Sequence, residues 1–444
     1  MPLESLADLD KILTSFAALD REPRRCSFFA EIPGTAEAGK FDFESFFAAG
    51  VPLMLAVALE MPTLFAGVEV PIHKMRSSWP DERQVLGKKS FSLTRRQTAC
   101  LLAHSFFGSL KRPADVQPND WRFTVVDLFV GTARSPNSAI TFLNYFAALG
   151  KHGVQDGAVT VERQGYRSGP SPWDWATSER PLCSVAIADG ALEDSPAELH
   201  VEFANAFVGG GVMTGDFAME ARELAPRRPS HRGLPGMSAC DRPLPPSGVW
   251  QELLFLVKPE LMIAMALENR MVDTEAVCVA GALQYSLTSG FGSSFEFAGD
   301  YDGRRGGPPP RVCAIDAVRG GGPAMTEPAL LRDMNKARVA FSGAREVATG
   351  HWGCGAFGNN HDLMFLKQWL AASEAGVSKL HYHDFDRKQS HNVVPLSRKL
   401  RHLTVGQLWA FLRALTSDLE PANVAVFSVR MREIATGKRA VPNG

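Results

Sequence analysis

The chain has 444 residues, of which 45% are hydrophobic and 21% charged, with a formal net charge of −1. That length exceeds one small core and calls for two domains, or for one domain with a large elaboration. The even charge balance excludes a general electrostatic drive toward nucleic acid or anionic membrane, while leaving room for a local basic site.

The opening "MPLESLADLDKILTSF" is acidic and amphipathic, unlike a secretory or organellar leader. The most apolar stretch, "FFAAGVPLMLAVALEMPTLF" from Phe46 to Phe65, is interrupted by Glu60 and two prolines. It is short for a bilayer span and reads as a buried helix, so no membrane partner is expected. "LTRRQTACLLAHSFFGSL", Leu93 to Leu110, reads as a helix with Thr94 as N-cap, and "SPNSAITFLNYFAALG" as a second helix closed by Gly150. The turn-rich "ERQGYRSGPSPWDWATSERP" marks a boundary, which makes residues 1–165 a helical accessory region.

From about Leu182 the pattern changes. Strand-like "LHVEFA", "AVCVAGAL", "RVCAIDAV" and "REVATG" alternate with helix-like "WQELLFLVKPELMIAMAL", "EPALLRDMNKARVAF" and "HDLMFLKQWLAASEAG". That alternation predicts an α/β sheet with helices on both faces, over residues 166–400, followed by a C-terminal extension over 401–444. Residues 216–249, rich in proline, arginine and glycine, read as a long surface insertion. Its "RRPSHR" reads as a solvated basic loop rather than a nucleic-acid element, and no direct DNA binding is expected. The seven cysteines, Cys26, Cys100, Cys183, Cys240, Cys278, Cys313 and Cys354, include no CxxC pair. Reduced thiols and a nuclear or cytoplasmic setting follow, rather than a disulfide framework.

Two glycine loops carry the chemistry. In "VEFANAFVGGGVMTG" an apolar strand runs into Gly209, Gly210 and Gly211. Alone, this is either a flexible turn or a bare backbone built for close approach to an anion. "VATGHWGCGAFGNNHDLMFLKQWL" repeats the grammar, with Gly353, Gly355 and Gly358 between a strand and a helix beginning near Asn360. Two such loops at strand ends suggest a diphosphate held from both sides, with a helix N-terminus facing it. Neither loop carries a Walker A motif or a dinucleotide-binding fingerprint.

The blocks "VEFANAFVGGGV", "WQELLFLVKPELMIAMAL" and "VATGHWGCGAFG", in this order, resemble the poly(ADP-ribose) glycohydrolases. Weaker similarity extends the resemblance over roughly Leu93 to Asp386. It implies a macrodomain, a three-layer α/β/α sandwich with a mixed sheet that binds ADP-ribose, preceded by a helical N-terminal region. It also implies a glycosidase acting on poly(ADP-ribose) or ADP-ribosylated proteins, without cofactor or metal. A monomer is favoured.

By position, the resemblance gives Gly209, Gly210 and Gly211 to the diphosphate and distal ribose, with Gly353, Gly355, Ala356 and Phe357 in the second loop. Asn205 matches a ribose-orienting asparagine, against its plain reading as a strand-end turn residue. Tyr285 matches the start of an aromatic segment that reaches the ligand, with Thr288 at the next tyrosine position and Phe291 beyond. Tyr382 and Phe385 stand near a segment beside adenine. His381 and His383 alternate on one strand face, but no third metal ligand stands at recognisable spacing. Cys354 reads as packing.

The family supplies its acid from a Gln-Glu-Glu triplet. Here the chain reads Gln251, Glu252, Leu253. Taking "LVKPEL" as the register mark, Leu253 stands where the catalytic glutamate is expected. The carboxylate that remains, Glu252, is then the catalytic candidate, with Gln251 on the substrate and Glu220 or Glu223 of the insertion as substitutes. With Leu253 in the acid's place, hydrolysis is expected to be slow and Leu253→Glu to raise it; the competing expectation is an inactive ADP-ribose reader, for which wild type and Leu253→Glu both bind without cutting.

Overall fold

The computed structural model describes residues 39–72, 74–75, 86–117, 121–129, 136–188, 190–212, 250–268, 270–290, 295–305, 308–384, 392–417 and 424–441, together with Ser5, Asp8 and Lys11. The 216–249 insertion with Glu220 and Glu223, and also Phe291 and Phe385, lie outside the described residues. For Gln251 and Glu252 the helical backbone is described, but not the side chains.

Eight strands form one mixed sheet: β1 (Gly87–Thr94), β2 (Ala158–Gly165), β3 (Ser184–Ala188), β4 (Leu199–Ala204), β5 (Glu275–Ala280), β8 (Arg311–Asp316), β9 (Glu346–Thr349) and β10 (Lys379–His383). Their order is β1-β2-β5-β8-β4-β9-β10-β3. β6 (Ser286–Ser289) and β7 (Glu296–Asp300) make a separate hairpin. From β1 to β8 the pairings are antiparallel. From β8 through β4, β9 and β10 to β3 they are parallel.

Alternation along the strands divides the core in two. Val277, Val279, Val312 and Ala314 join a cluster with helices α1 (Val51–Leu59), α2 (Arg95–Phe106), α3 (Pro136–His152), α4 (Trp250–Val257) and α5 (Ile263–Glu268). Cys278, Cys313, Ile315 and Val201 face the other cluster, formed with α6 (Glu327–Phe341), α7 (His361–Ala375), α8 (Val393–Leu400), α9 (Val405–Ser417) and α10 (Val424–Thr436). This is the expected α/β/α sandwich. The segment before it is not helical alone, since it contributes β1 and β2 to the sheet.

Several expectations need correction. Gly150 does not close its helix. α3 continues to His152, and the left-handed residue is Gly153, with φ 77°. Gly150 instead permits helix crossing, because a Cβ there would sit 2.5 Å from the Ala49 carbonyl carbon. The Phe46–Phe65 stretch is buried on one face only: Met54 and Val57 are in the core, whereas Leu59 is 81% exposed. The run from Trp250 to Leu267 breaks at Pro259, which has no N–H to donate, and a 3₁₀ turn, Pro259–Met262, separates α4 from α5. Finally, Cys278 and Cys313 are not reduced thiols but a disulfide. They stand directly opposite each other on antiparallel β5 and β8, a pairing invisible at a sequence separation of 35.

Candidate functional site

Because β8, β4, β9 and β10 run parallel, their carboxyl ends share one edge. The first glycine loop leaves β4 and the second leaves β9, and these strands are neighbours, paired through Leu199↔Val347 and His200↔Ala348. The two loops therefore lie side by side, as the diphosphate argument requires. The loop after β8 joins them, where the Gly320 N–H donates to the Phe357 carbonyl at 2.6 Å.

In the first loop, Asn205 follows β4 directly and its side-chain oxygen accepts the Phe207 N–H at 2.6 Å, an Asx turn. The Gly210 N–H then donates to the Phe207 carbonyl and the Val212 N–H to that of Gly209, both at 3.0 Å. Gly209 and Gly210 have φ of 77° and 47°, in the left-handed region that glycine tolerates. A Cβ on Gly209 would meet the Met265 sulfur at 2.6 Å. Gly211 is half-buried beside them.

The second loop is tighter. Gly353 has φ 68°, and a Cβ there would lie 2.6 Å from the Ala317 methyl and 2.9 Å from the Asn359 amide nitrogen. Asn359 donates to the Val318 carbonyl at 2.7 Å and to that of Gly353 at 3.0 Å, clamping this loop to the one after β8. Trp352 is buried with its indole N–H on the Ile315 carbonyl, 3.1 Å away. Gly355, Ala356 and Phe357 are half-buried, and the Arg319 guanidinium lies 5.4 Å from the Phe357 ring centroid. The N-terminus of α7 is already served: Asn360 accepts the Leu363 N–H, and Asp362 supplies a carboxylate in the first turn. That arrangement weakens the case for an external anion at this helix end. Burial pushes the Cys354 thiol well above its ordinary range, consistent with a packing role.

Buried polar groups brace both edges of the sheet, and the first set lies past the carboxyl end of antiparallel β5, at the edge opposite the glycine loops. Tyr285 is 1% exposed and its hydroxyl donates to Glu260 at 2.8 Å. Glu260 also receives Arg95 at 2.6 Å and the Leu283 N–H at 2.9 Å. Burial pushes its carboxyl up, opposed chiefly by the Arg95 charge. Tyr285 is thus a core brace rather than a ligand-facing ring. Asp316 ends β8 between Lys336 and Arg332. Burial opposes its ionisation, yet these two cations hold its carboxyl below the usual range. Beside it, Asp333 accepts from Lys367 and from the Val318 N–H, which anchors the loop after β8.

Leu253 bears on the reading of the triplet. It is 5% exposed and belongs to the hydrophobic cluster that contains Val208, Val212 and Met265. A carboxylate at that position would sit in apolar surroundings. The expectation that Leu253 fills the catalytic slot, leaving the triplet incomplete, is therefore not supported by its packing.

Of the two histidines on β10, His381 bonds Glu346 at 2.7 Å and His383 bonds the Gly190 carbonyl through Nδ1 at 3.3 Å. Sequence reasoning missed two contributors: Asn359, whose only signal is the polar "GNN" before α7, and Arg122, which reaches Gly210 from 88 residues away.

Two family models match the chain: the poly(ADP-ribose) glycohydrolase helical domain over residues 40–163, and its macro domain fold over residues 246–392. Together they span more than half of the chain. The second covers α4, Tyr285 and the second glycine loop, whereas the first glycine loop falls between them. A probable poly(ADP-ribose) glycohydrolase 2 of Arabidopsis thaliana is 26% identical, over 84% of this chain and 79% of its own. Poly(ADP-ribose) glycohydrolase 1 of the same plant is 25% identical, over 71% and 67%. Among solved structures, the poly(ADP-ribose) glycohydrolase of Deinococcus radiodurans in complex with ADP-ribose aligns at 15% identity and a TM-score of 0.26, over 50% of this chain and 85% of that one.

Proposed function

Since the chain belongs to the poly(ADP-ribose) glycohydrolase family, we propose that it binds ADP-ribose units of poly(ADP-ribose) and hydrolyses the ribose–ribose O-glycosidic bond between them, with Glu252 as the acid. The observation that carries this reading is the pair of glycine loops on adjacent parallel strands, β4 and β9. Backbone N–H groups at strand ends suit a diphosphate, and glycines let it approach closely. Asn205, at the end of β4, is the candidate for orienting the terminal ribose.

Cleavage passes through an oxocarbenium-like transition state. Glu252 protonates the departing ribose oxygen, and the resulting carboxylate then takes a proton from the attacking water. Gln251 assists in holding the substrate. The net charge of −1 supports recognition through a local site rather than a general field, and no direct DNA contact is included.

The test follows ADP-ribose release from poly(ADP-ribose). Wild type is expected to be active, and Glu252→Gln to lose about 10²–10⁴-fold in kcat, the usual weight of an acid–base group. A Glu252→Gln variant with full activity would remove Glu252 from this role. The inactive-reader alternative rested on Leu253. Leu253→Glu is expected to lower stability by about 3 kcal/mol or more and to leave activity no higher, because it buries a carboxylate in the first core. A folded Leu253→Glu variant that gains activity would return position 253 to the acid's place.

A further inference from the structure

Given the function proposed above, we infer that Arg122, from the N-terminal segment, is a positioning residue that sets the orientation of the Gly210–Gly211 peptide. Its Nη1 donates to the Gly210 carbonyl at 3.2 Å. Its guanidinium lies 4.4 Å from the centroid of the Phe207 ring, within the same loop, and Arg270 approaches that ring at 5.9 Å. Arg122 is itself held in place. The Phe123 carbonyl accepts from the Ser105 hydroxyl at 3.1 Å, and that hydroxyl oxygen accepts the Val125 N–H at 2.9 Å, so residues 122–125 are pinned to α2.

A trans peptide points its carbonyl and the following N–H in opposite directions. A donor fixed on the Gly210 carbonyl therefore aims the Gly211 N–H away from Arg122. Between two glycines this peptide rotates at little steric cost, so its orientation needs a partner to set it. If it turns over, a carbonyl oxygen replaces an N–H on the opposite side of the loop, and a nearby diphosphate is repelled instead of bound. Arg122 thus acts on ligand affinity through the loop, without touching the reacting bond.

The experiment compares wild type, Arg122→Ala and Arg122→Lys by calorimetry with ADP-ribose, by steady-state kinetics on poly(ADP-ribose), by thermal melting, and by amide hydrogen exchange of residues 203–212 without ligand. Arg122→Ala is expected to weaken ADP-ribose binding and raise KM by about tenfold, with kcat changed less than about threefold, as for loss of a charged hydrogen bond that acts equally on ground and transition states. Arg122→Lys keeps a donor but not the planar stack, and should recover part of the loss. Exchange in residues 203–212 should quicken in Arg122→Ala, a readout independent of which ligand the protein takes. Unchanged exchange, Kd and KM in a folded Arg122→Ala would overturn the inference. So would an Arg122→Ala whose only change is a lower Tm. If Arg122→Ala fails to fold, Arg122→Lys decides by the same measurements, and wild-type values throughout would again overturn it.

Discussion

The two glycine loops solve the same problem with different supports. The second is braced from inside the sandwich: Trp352 below it, Ala317 against Gly353, and Asn359 stitching it to the loop after β8. The first rests on a flexible methionine, Met265, and is fastened from outside by Arg122. A loop packed against methyl groups and backbone has little room to yield. One packed against a thioether can shift by a rotamer. The contrast separates a rigid wall of the site from an adjustable one, on neighbouring strands.

Substitution of the glycines should expose that contrast most sharply. Gly353→Ala places a methyl in the left-handed region and within 2.6 Å of the Ala317 Cβ. It should lower stability by about 2–5 kcal/mol, combining backbone strain with overpacking, and thermal melting would register this as a Tm lower by many degrees. A Tm unchanged within error would mean that the second loop is not rigid.

Acid should act next, through the strand that carries the first loop. His200 on β4 is 1% exposed, and burial, reinforced by the nearby Lys258 charge, pushes its imidazole down to about 4. The unfolded chain protonates near 6.5, so between those values it binds more protons than the folded one. Stability should therefore fall as pH drops from about 6.5 to 4, by roughly 3 kcal/mol from this group. His200→Gln should flatten that part of the pH–stability curve measured by urea unfolding. A slope identical to wild type would assign the acid sensitivity elsewhere.

The smallest effect is expected at the first loop itself. Gly209→Ala adds strain at φ 77°, but its clash is with the end of Met265. A loss of about 1–2 kcal/mol should follow, and combining it with Met265→Ala should cost less than the two separately, as a double-mutant cycle would measure. Strict additivity would show that the two side chains do not press on each other.

Much of the sandwich was legible because local signals agreed with the fold. "LHVEFA" is β4, residue for residue, and "EPALLRDMNKARVAF" is α6. Thr94 caps α2 through a full capping box with Gln97. What escaped depends on partners distant in sequence. Among the described residues β1 is an edge strand paired with β2, and its half-exposed alternation gave a weak signal. The glycine at 150 looks like a stop until the helix crossing it is known. Leu253 shows the limit at the site: a string comparison assigns it a slot, but only the fold shows that its side chain is 5% exposed among apolar neighbours.

The way β1 and β2 enter the sheet has a practical consequence for anyone cutting the protein into pieces. A fragment beginning at residue 166 would retain β5 but lose the strand that pairs with its outer side through Thr160↔Ala280 to Gly165↔Glu275. The row of backbone donors and acceptors thus uncovered would be an open template for a second copy of the fragment. Such a truncation should be recovered as aggregates, and soluble expression of the macro-type portion calls for keeping at least residues 87–165, which carry β1 and β2, in the same polypeptide.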